Sequence, residues 1–254
     1  MTRHWIVSDI DGTLLDPSER TPLPQGFLDE VRATQRVVLA SSRTPEEIAA
    51  VGEHLGWPAT PCIAEDGQLV VDAEGQIELL GTALDELLAR LDAHRVGARV
   101  RALSAEAPGG RRASVLIPAE RAAEIASGVA DVGLRVTMGG RWATITDAGW
   151  NKGRAAARLM HRLGVTSWAA IGNAANDAAL LRGATQRFAI REGDGHHDPA
   201  LATIPGVVLL TQFGPLGWAE MVSLLPTTPT LPPEPEGRHA PPSLDHQRPH
   251  HPGA

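Results

Sequence analysis

Two acidic residues, Asp9 and Asp11, follow the apolar run 5–7 directly. Such a run predicts a buried strand, and the carboxylates after it would lie at the carboxyl edge of a sheet, where α/β proteins bind ligands. Crowded carboxylates repel each other unless a cation or a shared proton relieves them, so we infer a divalent metal. One carboxylate can then attack a phosphorus atom while the other exchanges protons with the leaving group and water. The plainer interpretation is an Asp-Gly turn capped by Asp9.

Three further polar clusters stand at the ends of predicted elements. Ser41 follows a second apolar strand, Lys152 opens a helix, and Asn173 to Asp177 follow another strand. In a doubly wound parallel sheet these strand ends converge on one edge. A hydroxyl and backbone N–H groups there could hold phosphate oxygens while a lysine offsets the charge of the transition state. The set therefore favours phosphoryl transfer.

Alternating helices and strands at both ends of the chain predict an α/β fold with a doubly wound parallel sheet. Between them the order is helix, strand, strand, helix, strand, strand, beginning with a helix at 84–94 and a strand at 96–103. This order predicts an inserted α+β layer. We therefore expect a core of residues 1–71 and 149–225 and a cap domain at 72–148.

Short sequence motifs predict where one helix begins and ends and where two hairpins turn. Thr44, Pro45 and Glu47 have the spacing of a helix N-terminus with a capping box, and Gly56 is expected to lie just past the end of that helix. Short apolar runs on either side of residues 73–75 and 139–140 predict two hairpins.

Composition narrows the class of protein. The chain has 254 residues, 43% of them hydrophobic, and a formal net charge of -7, so no broad electrostatic footprint for nucleic acid is visible. Cys62 is the single cysteine, which excludes an internal disulfide and favours a buried apolar thiol. With neither a signal region nor a membrane-length apolar stretch, the expected location is cytoplasmic and no membrane partner is expected. The Pro- and His-rich tail at 226–254 is predicted to be disordered.

Four segments resemble, in order and approximate spacing, motifs one to four of the haloacid dehalogenase superfamily of phosphatases. They are Asp9-Ile10-Asp11-Gly12-Thr13, Ser41, Lys152 and Gly172-Asn173-Ala174-Ala175-Asn176-Asp177. The resemblance implies a Rossmann-like core, and the inserted layer is similar to the cap of subclass IIB, which is dominated by sugar-phosphate phosphatases. It covers residues 5 to about 220, everything except the tail.

The resemblance also implies roles for individual residues. Asp9 would be the nucleophile that forms an aspartyl-phosphate, and Asp11 the general acid and base. Ser41 would bind the phosphoryl group, and Lys152 would pair with Asp9. The residues expected to hold Mg²⁺ are Asp9, Asp11 through its backbone carbonyl, Asn173 and Asp177. Those expected to bind the phosphate or substrate are Gly12, Thr13, Ser42, Arg43 and Asn176.

The chain departs from the family pattern at three places. Asn173 stands where the family usually has Asp, and its neutral amide is a weaker Mg²⁺ ligand, for which Asp177 would compensate directly or through water. Ser41-Ser42-Arg43 replaces a common Thr-Gly-Arg and keeps the hydroxyl. Glu65-Asp66-Gly67 stands where capped relatives often show Asn-Gly, so the resemblance implies an altered contact with the substrate there.

Taken together, these features lead us to expect a Mg²⁺-dependent phosphatase that acts on a small phosphorylated metabolite, such as a sugar phosphate or mannosyl-3-phosphoglycerate. The expected state is a monomer or homodimer. Two alternatives stay open. One is a phosphosugar mutase, although the caps of mutases in the superfamily are usually helical. The other is a non-catalytic binding or regulatory protein whose metal site was weakened through Asn173.

Overall fold

The structure, a computed structural model, describes residues 4–16, 18 and 20–225. The segment 226–254, predicted to be disordered, lies outside the described residues. The strands are β1 (His4–Ser8), β2 (Gln35–Ala40), β3 (Cys62–Ala64), β4 (Leu69–Val71), β5 (Ile77–Leu79), β6 (Val115–Pro118), β7 (Leu134–Gly139), β8 (Trp142–Asp147), β9 (Ala169–Gly172), β10 (Gln186–Arg191) and β11 (Val207–Phe213). The helices are α1 (Gln25–Thr34), α2 (Pro45–His54), α3 (Leu84–Asp92), α4 (Gly97–Ser104), α5 (Ala122–Ala130), α6 (Lys152–Arg162), α7 (Ala178–Gly183), α8 (Pro199–Ala202) and α9 (Gly214–Leu224).

Eight strands form the large sheet in the order β11-β10-β9-β1-β2-β3-β4-β5. Pairing is parallel from β11 to β3, and β4 and β5 continue the sheet as an antiparallel hairpin. The chain begins in the middle and winds outward in both directions, so the predicted α/β class is confirmed. The sheet extends through β5, beyond residue 71, where the sequence places the end of the first core segment.

Helices cover both faces of this sheet because its central strands are apolar on both sides. Ile6 and Leu39 belong to a cluster that includes side chains of α1, α2 and α9. Their neighbours Val7 and Val38 point the other way, into a cluster with side chains of α6 and α7. The alternation along each strand thus creates two cores, and the sheet edge between them is left to the polar residues that follow the strands.

The predicted N-terminus of α2 is confirmed in detail. Thr44 Oγ1 accepts the N–H of Glu47 at 3.3 Å, and the Glu47 carboxylate accepts the N–H of Thr44 at 2.7 Å. Pro45 occupies the first turn of the helix. This reciprocal pair stabilises the loop after β2 as it enters the helix.

A second, antiparallel sheet has the order β6-β8-β7 and packs against α3, α4 and α5. The predicted hairpin of β7 and β8 is confirmed. The predicted strand at 96–103 is wrong, because this segment forms α4. Val96, Val100 and Leu103 are spaced by four and three residues, and the helix buries all three against the cap sheet.

Among the described residues, no helix combines the length and the apolar composition that a bilayer crossing requires.

The single cysteine is buried, as the sequence predicts. Cys62 lies in β3 with 4% of its surface exposed. Burial, with a smaller effect of the Glu46 charge, raises the pKa of its thiol to about 12. Since the thiolate is the reactive form, this thiol is inert in the folded protein.

We therefore predict that Ellman's reagent at pH 8 modifies the native protein at least about a hundredfold more slowly than the guanidinium-unfolded chain. Absorbance of the released thiolate measures both rates, with Cys62→Ala as the blank. Rapid stoichiometric labelling of the folded protein would contradict the buried position of β3.

Candidate functional site

The strand ends meet as the sheet topology requires. Asp9 follows β1, and its N–H donates to the carbonyl of Ile171 in β9 at 3.0 Å. Ser41 follows β2, and its N–H donates to the carbonyl of Ile63 in β3 at 2.9 Å. Lys152 is the first residue of α6. The structure thus brings the four polar segments of the sequence to one edge of the sheet.

Lys152 forms the centre of this cluster. Its Nζ donates to Asp9 Oδ1 at 2.6 Å and to Asp177 Oδ1 at 2.8 Å. All three side chains are buried, with 1% of Lys152, 5% of Asp9 and none of Asp177 exposed. A lysine this deep is stable only because it is paired and hydrogen-bonded on both sides.

One lysine charge therefore faces two carboxylates. Asp177 Oδ2 also accepts the N–H groups of Asn173 at 3.1 Å and Ala174 at 3.4 Å, so its charge is well satisfied. Burial and the charge of Asp177 raise the pKa of Asp9 to about 7, against the opposing effect of Lys152. Burial disfavours the charged form of Lys152, but the carboxylates of Asp177, Asp9 and Asp66 outweigh burial and raise its pKa. The negative charge of Asp9 is therefore only partly compensated by Lys152.

Asp9 is held from its backbone as well as its side chain. Thr13 Oγ1 donates to Asp9 Oδ2 at 3.0 Å. Ser8 Oγ donates to the Asp9 carbonyl at 2.7 Å and accepts from Trp218 Nε1 at 3.0 Å. Ser8 and Trp218 were missed in the sequence, because they lie 210 positions apart and carry no local signal.

Asp11 lies in different surroundings from Asp9. Half of its side chain is exposed, and its Oδ1 accepts from Arg43 Nη2 at 2.6 Å. Ser41 Oγ lies 3.4 Å from Asp11 Oδ2. Asp11 therefore contacts both solvent and the loop after β2, whereas Asp9, two residues earlier, is buried.

Gly12 allows the backbone to turn at Asp11, so that Asp9 is buried and Asp11 is half exposed. It adopts φ +79°, and a Cβ there would lie 2.7 Å from the Asn173 side chain. Only glycine combines this left-handed conformation with such a close approach.

The Asn173 amide bears on whether a metal fits this site. One terminal atom of the amide lies 3.2 Å from Asp9 Oδ2, 3.2 Å from the Asp11 carbonyl and 3.1 Å from Thr13 Oγ1. Because all three are acceptors, and the Thr13 hydrogen is directed at Asp9, the amide nitrogen satisfies this position. An amide oxygen would belong there only if a cation lay among the oxygens.

If the Asn173 amide is rotated so that its oxygen takes this position, that oxygen faces Asp9 Oδ2 and the Asp11 carbonyl oxygen. These are hard ligands of the type that Mg²⁺ prefers, and their spacing is near the ~3 Å between neighbouring oxygens of an octahedral Mg²⁺ shell. Within residues 4–16, 18 and 20–225, no group of three or more His, Cys, Asp or Glu side chains is placed to hold a metal. The oxygens of Asp9, Asp11 and Asn173 fit Mg²⁺, with the Asp9 carboxylate as the charged ligand and the Asp11 carbonyl and the Asn173 amide as neutral ligands.

The remaining predicted site residues lie in different surroundings. Asp177, expected to help hold the metal directly or through water, has both carboxylate oxygens engaged by Lys152 and the N–H groups of the turn. Arg43, on the loop after β2, donates to Asp11, whereas the carbonyl of Ser42 accepts from Arg111. Asn176 is half-buried in the turn Ala175–Asp177 and makes no side-chain hydrogen bond with the described residues.

The turn 109–114, which leads into β6, contacts the core at Glu65 and at the loop after β2. Glu65 is fully buried and accepts the N–H groups of Arg112 at 2.8 Å and Ala113 at 3.0 Å, as well as the Ser114 hydroxyl. Arg111 Nη1 donates to the carbonyl of Ser42. Arg111 and Arg112 therefore connect this turn to the core segments that follow β2 and β3.

Known proteins resemble this chain in part of its sequence and in its fold. Residues 6–89 match the family model of haloacid dehalogenase-like hydrolases. No curated protein matches the chain.

Solved structures cover nearly the whole described chain. Protein 0175 of Thermoplasma acidophilum is 15% identical with a TM-score of 0.68, covering 88% of this chain and 98% of its own. A haloacid dehalogenase-like hydrolase from B. subtilis is 18% identical with a TM-score of 0.63, covering 87% and 99%. BT1666 from Bacteroides thetaiotaomicron, analysed among phosphatases of the haloalkanoate (HAD) superfamily, is 15% identical with a TM-score of 0.60, covering 82% and 90%. At these identities the likeness establishes the fold alone.

We predict that Asn173→Asp raises the affinity for Mg²⁺ by about tenfold or more, because it adds a second charged ligand. The same change should lower the melting temperature in EDTA, because the new carboxylate faces acceptors and Asp9 without a cation. Isothermal titration calorimetry and thermal unfolding with and without Mg²⁺ measure the two effects. Asn176→Asp is the matched control and should change neither. Unchanged affinity in Asn173→Asp would show that residue 173 does not reach the cation.

Proposed function

We propose that this chain is a haloacid dehalogenase-like hydrolase and that it cleaves phosphate monoesters through an aspartyl-phosphate on Asp9. The observation that carries the proposal is the contrast between two carboxylates. Asp9 is dry and paired with Lys152, whereas Asp11, two residues later, is half exposed. A nucleophile benefits from being stripped of water, and a group that exchanges protons with water benefits from access to it.

In the first half-reaction, a carboxylate oxygen of Asp9 attacks the phosphorus atom and the bond to the leaving oxygen breaks. Asp11 in its acid form gives its proton to that oxygen. Lys152 holds Asp9 in position and offsets negative charge as phosphorus becomes five-coordinate. Ser41 and Arg43 lie beside Asp11, where they can donate to phosphoryl oxygens.

In the second half-reaction, the Asp11 carboxylate takes a proton from water, whose oxygen attacks phosphorus. The acyl-phosphate bond breaks, inorganic phosphate forms and the Asp9 carboxylate is restored. Thr13, which donates to Asp9 Oδ2 in this structure, keeps the side chain in place between the two steps.

We propose Mg²⁺ as the cofactor, held by Asp9, the Asp11 carbonyl and Asn173. When bound, it would supply positive charge to the phosphoryl oxygens and to Asp9. The raised pKa of Asp9 supports this proposal, since the carboxylate must ionise to attack and shares the single charge of Lys152 with Asp177.

We also propose that the substrate is a small phosphorylated metabolite, such as a sugar phosphate or phosphoglycoside. The cap turn 109–114 contacts the loop after β2, so the cap lies over the strand ends where the phosphate would bind. A cap in this position would exclude water and large substrates.

A non-catalytic phosphate-binding protein is the second candidate, and the Asn173 amide favours it. An amide nitrogen that satisfies Asp9, Asp11 and Thr13 stabilises the site without a cation. In that case Asn173→Asp, and not the wild type, would turn over substrate.

The test is hydrolysis of p-nitrophenyl phosphate with Mg²⁺ and with EDTA. We expect turnover by the wild type that requires Mg²⁺, background rates in Asp9→Asn, and a loss of about 10²–10⁴-fold in Asp11→Asn. Asp29→Asn, an exposed acid on α1, is the control and should retain full activity. Turnover that persists in Asp9→Asn, or none in the wild type with Mg²⁺, would contradict the proposal.

A further inference from the structure

A cavity of about 410 Å³ lies at the edge of the large sheet opposite to Asp9, and this volume is within the range of small-molecule sites. Its wall comes from the amino ends of β1, β2 and β3, the last turns of α1 and α6, and the turn between β4 and β5. The cavity opens to solvent, since Arg32, Arg36 and Leu163 on its wall are exposed. It is therefore separate from the site at the carboxyl ends of the strands.

Apolar side chains form much of this wall. They include Trp5 of β1, Val37 of β2 and Leu159 of α6. Val37 and Leu159 are buried, and Trp5 is half-buried. A flat apolar group that entered the cavity would lose contact with water here, which favours its binding.

The loop 58–61 contributes another part of the wall in an unfavourable conformation. Ala59 has φ +56°, in the left-handed region that a residue with a Cβ adopts only at a cost. The chain before and after it is fixed, because Thr60 Oγ1 donates to the Trp57 carbonyl at 2.8 Å and Trp57 Nε1 donates to the Leu28 carbonyl at 3.1 Å. Backbone outliers of this kind cluster at binding sites.

Arg36 supplies positive charge that the fold itself does not use. Its guanidinium lies 5.6 Å from the centroid of the Trp5 ring, and it makes no hydrogen bond or ion pair within residues 4–16, 18 and 20–225. In contrast, Arg32 donates to the Gly56 carbonyl and Arg162 to Glu78, both at 3.0 Å, and both lie in the last turn of a helix, where basic residues are favoured. The planar donors of Arg36 suit a phosphate group.

Carboxylate oxygens lie on the other side of the cavity. Asp72 Oδ1 accepts the N–H groups of Glu74 at 3.1 Å and Gln76 at 2.8 Å, whereas Asp72 Oδ2 has no hydrogen bond in the described part of the chain. Glu74, exposed on the same turn, adds a second carboxylate. Since β3 separates β2 from β4, the strands that carry Arg36 and Asp72 are about 10 Å apart, or two strand spacings.

A mononucleotide has parts that match this arrangement. Its phosphate suits a guanidinium, its base is flat and largely apolar, and the two groups are separated by a distance comparable to that between β2 and β4. The guanine base presents two neighbouring N–H donors, which fit a carboxylate. Adenine places a ring nitrogen acceptor beside its amino group, so it would direct an acceptor at Asp72. An aromatic acid without N–H groups would leave Asp72 unpaired.

We infer that this cavity binds a guanine mononucleotide, with the phosphate on Arg36, the base against Trp5 and its apolar neighbours, and the edge of the base on Asp72. The occupant would contact both elements that position the catalytic groups. Trp5 lies in β1, which leads to Asp9, and Leu159 lies in α6, which begins at Lys152.

Isothermal titration calorimetry of the full chain with guanosine monophosphate (GMP) in EDTA tests this site. We expect one GMP bound per chain, with AMP weaker by about tenfold or more. Arg36→Glu should weaken GMP by at least about tenfold, because it directs a carboxylate at the phosphate. Asp72→Asn keeps the oxygen that holds the turn and replaces the other with an N–H donor. This variant should therefore remove the preference for GMP over AMP.

Arg95→Glu is the matched control, because it makes the same charge change at an exposed arginine between α3 and α4, and it should bind GMP like the wild type. Asp9→Asn should also bind GMP normally, because it alters the opposite edge of the sheet. Thermal unfolding checks that the variants fold, and Asp72→Asn decides alone if Arg36→Glu does not. No binding at millimolar GMP, equal affinity for AMP, or binding that is lost in Asp9→Asn and kept in Arg36→Glu would overturn the inference.

Discussion

The buried contact of Lys152 with Asp9 and Asp177 is the constraint on which the rest of the site depends. It joins the ends of β1 and β9 to the start of α6, across 143 and 25 positions of sequence. Glycines permit the close packing it needs. A Cβ on Gly153 would lie 2.1 Å from the Ala179 carbonyl, and one on Gly172 would lie 2.5 Å from Asp177. Because one cation serves two carboxylates in a dry site, Asp9 is left with charge that a phosphoryl group or metal could help to balance.

Asn173 affects how the negative charge of Asp9 is balanced. A carboxylate here would repel Asp9 unless a cation were bound, whereas the amide can donate to Asp9 and to the Asp11 carbonyl. The same side chain, turned over, offers an oxygen ligand. The site is therefore compatible with two states. In one, the Asn173 amide nitrogen donates to Asp9 and Asp11. In the other, a cation would lie among these oxygens. We propose that asparagine in place of aspartate at position 173 lowers the affinity for a metal and stabilises the site when no metal is bound.

Local patterns in the sequence predicted most of the fold, because apolar strands, caps and turns are set by neighbouring residues. The Thr44 cap and the convergence of Asp9, Ser41 and Lys152 are examples. The segment 96–103 was wrongly predicted as a strand, since its apolar spacing fits both the strand and the helix period and tertiary packing decided between them. Contacts such as that of Trp218 with Ser8 require the folded chain, and so does the engagement of Asp177 by Lys152.

Attack by Asp9 on phosphorus can be tested by chemical trapping of the aspartyl-phosphate. Protein mixed with p-nitrophenyl phosphate and Mg²⁺ would be quenched in acid during turnover and reduced with borohydride, which converts an aspartyl-phosphate to homoserine. Peptide mass spectrometry then locates the modified residue. We expect homoserine at position 9 in the wild type and none in Asp9→Asn. Homoserine at another position, or steady turnover with position 9 unmodified, would contradict it.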